Sequence, residues 1–233
     1  MTQTPRERAR ANTMAEILSI GRAHLALHGA AGLSLRAVAR DLGVVSSAVY
    51  RYVKGRDELL TLLVVDGYNA LGDAVDAAVG DVAEGDFPGQ FRALCRAVRN
   101  WALAEPAHYG LLFGSPVPGY EAPAEQTTGP GTRVIGQLVR IIEGAYRAGT
   151  LAEKHFPMEL PAGGTAADFR AIRAELGLTL PDSAVGRGVL VWSALFGAVN
   201  FEVFGQYGKR TFSDPDALFE NQVALLAQLA GLG

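Results

Sequence analysis

Residues 33–60, LSLRAVARDLGVVSSAVYRYVKGRDELL, constrain the chain more than any other stretch. Leu35, Val38, Ala39 and Leu42 recur at the i, i+3, i+4, i+7 spacing of one buried helical face. Ser34 precedes that face as a cap whose side-chain oxygen accepts from an orphan backbone N–H. Gly43 ends the helix, because a residue without Cβ adopts the left-handed conformation that a tight turn needs. Val44 is expected to return to the core. Ser46 caps a second short helix that turns Val49 and Val53 inward and keeps Ala48 small. Two short helices about a tight turn define helix-turn-helix geometry, in which the second helix enters the major groove of DNA.

The flanks are helical as well. Residues 1–12 are polar, Arg-rich and without periodicity, and are read as a flexible arm. A first helix turns Met14, Ile17, Leu18, Gly21 and Leu25 inward and closes at residues 29–32. Another begins near Asp57, where Asp57 and Glu58 suit its positive amino end, and runs to about residue 79. Beyond Gly80 the apolar period stays helical and no alternating strand pattern occurs, with helices expected at 88–104, 106–113, 132–148, 166–176, 182–206 and 215–229. Pro88, Pro106 and Pro215 fall in first turns, which tolerate a missing N–H. Residues 114–131 are dense in Gly and Pro and read as a long structured loop, and 149–164 as a second. The fold class is therefore all-α. A three-helix helix-turn-helix DNA-binding domain spans residues 1–56, with its arm over about 1–12, and a larger helical effector-binding and dimerisation domain spans 57–233.

Charge separates the same two parts. Residues 1–56 hold nine Lys or Arg against three acids, a balance of +6, which leaves −9 for the rest of a chain whose total is −3. A basic head on an acidic body points the head at a polyanion, here double-stranded DNA. The single cysteine, Cys95, excludes an intrachain disulfide; it fits a reducing compartment and a buried thiol. No signal peptide is apparent. The apolar run 188–201 is shorter than the roughly 20 residues that span a bilayer, and Arg187 and Glu202 bound it. It reads as a buried helix, and the expectation is a cytoplasmic protein with no membrane partner.

The motif run resembles the amino-terminal domain of the TetR family of transcriptional regulators. The resemblance lies in Leu33-Ser34-Leu35-Arg36, in Val38-Ala39 followed by Leu42-Gly43-Val44, in Tyr50-Arg51-Tyr52 and in residues 54–60, and it extends back over the helix from about Thr13 to His28. The body resembles a subset of that family whose ligand-binding domains carry a Gly-Ser-Pro-Val-Pro-Gly-Tyr segment, intact here at residues 114–120, and a later Trp-x-x-x-His-Gly element. The second stands here as residues 192–197, with Phe196 where the subset has histidine. The resemblance implies a ligand-responsive regulator, with a four-helix dimer interface built from the last two long helices of each copy.

DNA recognition needs groups that hold phosphates and groups that read base edges. Ser34 stands at a helix start where free N–H groups favour an anion. By resemblance, the tyrosines at Tyr50 and Tyr52 donate to phosphates. Lys54 and Arg56, at the next helix start, grip the flanking backbone. Arg36 forks onto guanine O6 and N7, Ser46 and Ser47 read either partner, and Ala48 packs on a thymine methyl. The competing readings are that Tyr52 packs the head's core and that Arg40 or Arg51 pairs with Asp41 or Glu58.

In the body, Trp101, His108, Tyr109, Phe113 and Tyr120 gather around a short helix and the Pro-rich segment, while Trp192, Phe196 and Asn200 share a face of a later helix. A mainly apolar setting with a few polar groups suits a small-molecule effector; ordinary core packing is the alternative for each. Asn200 and Glu202 discriminate best, because burying them demands a partner. Val189, Leu190, Leu195, Val199 and Val203, followed by Leu218, Val223, Leu225, Leu226 and Leu229, give the last two helices more apolar face than one internal contact uses. The other function classes are a metal-binding sensor or a small helical enzyme. His24 and His28 lie at i, i+4, but no third ligand is evident. No nucleotide loop or nucleophile motif stands out, so neither a catalytic residue nor a cofactor is expected.

Overall fold

The computed structural model describes residues 4–152 and 164–233, among which there is no β-strand. The expected loop at 149–164 therefore lies mostly outside the described residues. The chain forms two compact units: Met1–Ala70 with Ala104–Gly131, and Leu71–Leu103 with Thr132–Gly233.

The first unit opens with α1, Pro5–His28. The expected irregular arm over residues 1–12 is corrected here, because helix begins at Pro5. Thr4 accepts from the Glu7 amide, and the Glu7 carboxylate accepts in turn from the Thr4 amide at 2.8 Å. This is a capping box with proline in the first turn. A short 3-10 turn, Ala30–Gly32, leads to α2, Leu35–Asp41, and α3, Ser46–Val49. Gly43 takes φ +74° in the turn between them, and the Val44 amide reaches back to the Ala39 carbonyl at 3.0 Å. Backbone bonds thus close the turn. Three expectations change with it. Val44 is exposed rather than in the core, the Ser34 side chain makes no capping bond, and Val45 rather than Ser46 is the N-cap of α3. Beyond Val49 the chain continues one further turn, with Tyr52 and Val53 amides both donating to the Val49 carbonyl.

Ile17, Leu35, Val38, Val49, Val53, Leu59 and Leu63 form one core across α1, α2, α3 and the start of α4, Arg56–Gly80. Two later elements belong to the same unit, α6, Pro106–Phe113, and α7, Ala124–Gly131. Leu111 of α6, with Val117 and Tyr120 of the following segment, packs against the same core. The expected loop at 114–131 is therefore corrected over its second half, which is helical despite Pro130. At Gly67 a Cβ would lie 2.9 Å from the His108 ring, so α4 and α6 approach where no side chain intervenes.

The second unit contains α5, Phe87–Ala104, α8, Arg133–Arg147, α9, Gly164–Leu176, α10, Asp182–Val203, and α11, Pro215–Ala230. Their starts fall within two residues of the sequence expectation. Leu94, Val98, Leu138, Val191, Leu195 and Val223 are buried in its core. Among the described residues, α10 is the one helix long and apolar enough by length and composition to cross a membrane; here it packs against α8, α9 and α11. Cys95 is fully buried, which pushes its thiol far above the usual range and leaves it an inert packing group.

Candidate functional site

The local sequence of the head decides which side chains face outward. Leu35, Val38 and Ala39 bury one face of α2, so Arg36 and Arg40 project from the other. In α3, Val49 alone is buried, which leaves Ser47 exposed and Ser46 and Ala48 half-exposed. Tyr50, Arg51 and Lys54 follow on the exposed side, with Tyr50 at 45% exposure. Arg36, Ser47, Tyr50, Arg51 and Lys54 together form a cationic, hydroxyl-bearing surface.

Two expected contacts are otherwise engaged. The Arg56 guanidinium donates to the Ala30 carbonyl at 3.1 Å and lies 3.5 Å from Asp57, tying α4 to the 3-10 turn. Tyr52 is half-buried against the head's core, and the Arg10 guanidinium stacks over its ring at 5.3 Å. Arg10 enters the site because α1 is helical from Pro5. Its signal in the sequence was the Thr-Pro-Arg-Glu capping box at residues 4–7.

The head is also pinned by polar contacts. His24 is buried on α1, and its Nε2 lies 2.6 Å from Asp41 at the end of α2. That hydrogen bond, with a second from Arg40, holds the Asp41 carboxyl below its usual range. His24 thus has a structural partner, and the described residues hold no group of three or more His, Cys, Asp and Glu arranged to hold a metal ion.

The eight residues expected around an effector divide between the units. In the first, Tyr109 is fully buried and tilts on Phe113 at 5.1 Å. Phe113 meets Tyr68 edge-on at 6.0 Å. The His108 Nε2 lies 2.8 Å from the Leu63 carbonyl and 3.9 Å from Asp66, which Arg22 engages at 2.8 Å. The Tyr120 hydroxyl shares a hydrogen bond of 3.0 Å with Thr61. These contacts bind α6 and the Pro-rich segment to the helix-turn-helix core.

In the second unit, Trp101 is half-buried on α5, and Trp192 and Phe196 lie 4.3 Å apart on α10. One turn further on, the Asn200 Oδ1 is buried and has no hydrogen-bond partner among the described residues. Glu202 is not available in the same way. Arg99 holds it with two bonds of 2.6 Å, reaches Asp216 at 2.7 Å and stacks over Phe219 at 5.0 Å. Sequence reasoning missed Arg99 and Glu143, whose partners lie far along the chain.

A net-positive three-helix head that presents a one-turn helix and its flanking tyrosine is the architecture of a helix-turn-helix DNA-binding regulator. The comparisons make this specific. Residues 91–226 match the family model described as "Tetracyclin repressor-like, C-terminal domain". The chain is 46% identical over 221 residues to the HTH-type transcriptional regulator Rv1816 of Mycobacterium tuberculosis, covering 95% of this chain and 93% of that one, with the same figures for the regulator Mb1846 of Mycobacterium bovis. Among solved structures it is similar to the regulatory protein SCO4313, with a TM-score of 0.77 and 34% identity over 97% of this chain and 100% of that chain. The fatty acid degradation regulator FadR from Bacillus halodurans shares the fold, with a TM-score of 0.63 at 14% identity over 94% and 100% of the two chains. The chain belongs to the TetR family of transcriptional regulators.

Proposed function

We propose that the protein is a cytoplasmic, homodimeric repressor that a small molecule releases from a palindromic operator. Residues 1–56 contact DNA, and residues 57–233 carry the effector and dimer functions. The observation that carries this reading is the exposed set Arg36, Ser47, Tyr50 and Lys54 on the surface of an otherwise apolar head core. Arg36, Ser46, Ser47 and Ala48 meet base edges, while Ser34, Tyr50, Tyr52, Lys54 and Arg56 position the backbone. Because short serines read bases weakly, operator shape and two half-sites supply much of the specificity.

Two substitutions separate these roles. Arg36→Ala costs about 1–3 kcal/mol on the operator and relaxes preference at one base position. Lys54→Ala weakens cognate and random DNA alike and flattens the salt dependence by about one unit of slope. Fluorescence anisotropy on both DNAs over a salt series distinguishes them. Identical behaviour of the two variants would overturn the assignment.

Dimerisation uses the outer faces of α10 and α11. Val189, Leu190, Phe201 and Leu225 are each about half exposed or more, and small residues Ala194, Gly197 and Ala198 floor a groove of about 360 Å³ between the helices. Exposed apolar surface flanking a small-residue groove suits a second copy of the same pair. Sedimentation velocity at micromolar concentration is expected to give a wild-type dimer and a Leu225→Glu monomer; a wild-type monomer contradicts the interface.

The effector reading has two parts: Trp101, Trp192, Phe196 and Asn200 in the second unit, and His108, Tyr109, Phe113 and Tyr120 in the first. An effector that binds one state of the dimer better than the other shifts operator affinity in proportion. A coupling of about 1–3 kcal/mol changes it roughly 5- to 150-fold. The α4 helix is the continuous covalent route for that coupling.

A further inference from the structure

The second unit contains a cavity that the aromatic residues above do not line. It lies among α8, α9, α10 and the turn before α10, with a volume of about 180 Å³. Leu138 and Ile142 of α8, Ile172 of α9, Leu180, and Val185 and Gly188 of α10 stand on its walls, and all twelve lining residues are aliphatic or glycine. No side chain there offers a charge or a hydrogen bond. Leu176, about half exposed, stands at its margin and gives it a mouth.

Protein interiors are otherwise close-packed, and this space is held open from outside its apolar walls. The Glu143 carboxylate accepts from the Thr179 amide and hydroxyl and from the Leu180 amide, fixing the turn on one side. Arg173 of α9 holds Asp182 at the start of α10 at 2.7 Å. These bonds fix the turn and the start of α10 at the edge of the cavity. An apolar pocket of about 150 Å³ lined by Leu, Ile and Phe stays dry and takes up benzene.

We infer that the α8–α9–α10 cavity is a binding site for a small neutral hydrocarbon, of the size of a single ring or a short alkyl chain. Anions, cations and hydrogen-bonding molecules are rejected, because entering would strip their hydration with nothing in return. Use of the site by the effector rests on the reading given above; binding itself does not.

The test is a melting experiment on the DNA-free full chain with toluene and benzoate, which share a ring and differ in charge. Toluene is expected to raise Tm saturably by about 2–5 °C, and benzoate to leave it unchanged. Gly188→Leu fills the space from α10; its Cβ would meet Ile142 Cδ1 at 3.8 Å, an ordinary contact, and leucine favours helix over glycine. This variant is expected to fold and to lose the toluene response, and Ala184→Leu to do the same from the preceding turn. A toluene shift retained in both filled variants, an equal shift with benzoate, or no saturable shift in the wild type overturns the proposal. Because no DNA is present, each outcome is independent of whether the operator reading holds.

Discussion

Glu143→Ala lowers the unfolding free energy by about 1–3 kcal/mol, the range for leaving hydrogen-bond donors without their acceptor. The side chain is only 10% exposed and accepts from Arg147 as well as from Thr179 and Leu180. Alanine leaves those amides without an acceptor in the turn that leads into α10. At roughly 2–4 °C per kcal/mol for a chain of this size, calorimetry should show Tm falling by about 2–12 °C. Glu143→Gln, which keeps one acceptor oxygen, should lose less. A Tm indistinguishable from wild type for the alanine variant would refute the role.

The same carboxyl makes stability pH-dependent. Burial works to raise its pKa, but hydrogen bonds from the Thr179 hydroxyl and amide, the Leu180 amide and Arg147 outweigh it and hold the pKa below the ordinary glutamate value of 4.5. A depressed carboxylate stabilises the fold fully above the unfolded-state value, and that stability fades as pH falls through the lower, folded value. The wild type should therefore lose more stability than Glu143→Gln below about pH 4.5.

Arg99→Leu is the second large effect, about 3–5 kcal/mol. The Arg99 and Glu202 side chains are 10% and 18% exposed, so leucine leaves a carboxylate nearly buried and uncompensated, whereas Asp216, 83% exposed, returns to water. The double variant Arg99→Leu/Glu202→Leu should recover most of the loss, because an apolar pair of similar volume often replaces a buried ion pair without cost. Denaturant titration of the full cycle measures the coupling. If the double variant is as unstable as the single, the cost lies in packing around Phe219 rather than in an orphaned charge.

Local signals carried the head. Gly43, the spacing from Leu35 to Leu42 and the inward Val49 and Val53 act within a few residues of one another, so the motif could be read without a structure. Prolines in first turns likewise marked α6 and α11, whose starts need no distant partner. What failed depended on alternatives of similar local strength. Backbone closure of the Gly43 turn made the serine caps unnecessary and released Val44 to solvent. The capping box at Thr4 was present in the sequence, but the Arg-rich composition around it masked it. At α7, Gly and Pro argued for a loop, but the residues are helical, and the Thr127 hydroxyl and the Gln126 and Thr127 amides all donate to the Pro123 carbonyl at its start.

The candidate effector residues were less legible, because their neighbours come from far along the chain. Tyr120 meets Thr61 across 59 positions, and Arg99 meets Glu202 across 103. No periodicity encodes such pairs. Composition could place His108 and Tyr120 among aromatics, but not show that they hold the Pro-rich segment to the helix-turn-helix core. The aliphatic cavity was invisible for a related reason: each of its walls reads as ordinary core, and only their arrangement leaves a space.

The central claim is that a cationic tri-helical head presents α3 and Tyr50 to the groove of duplex DNA. Selection from a random duplex pool with the unliganded protein, repeated at low and physiological salt, tests it most directly. Enrichment of a two-half-site palindrome, with log affinity falling linearly as log salt rises, is the predicted result. Recovery of no dyad-symmetric sequence at either ionic strength would contradict it.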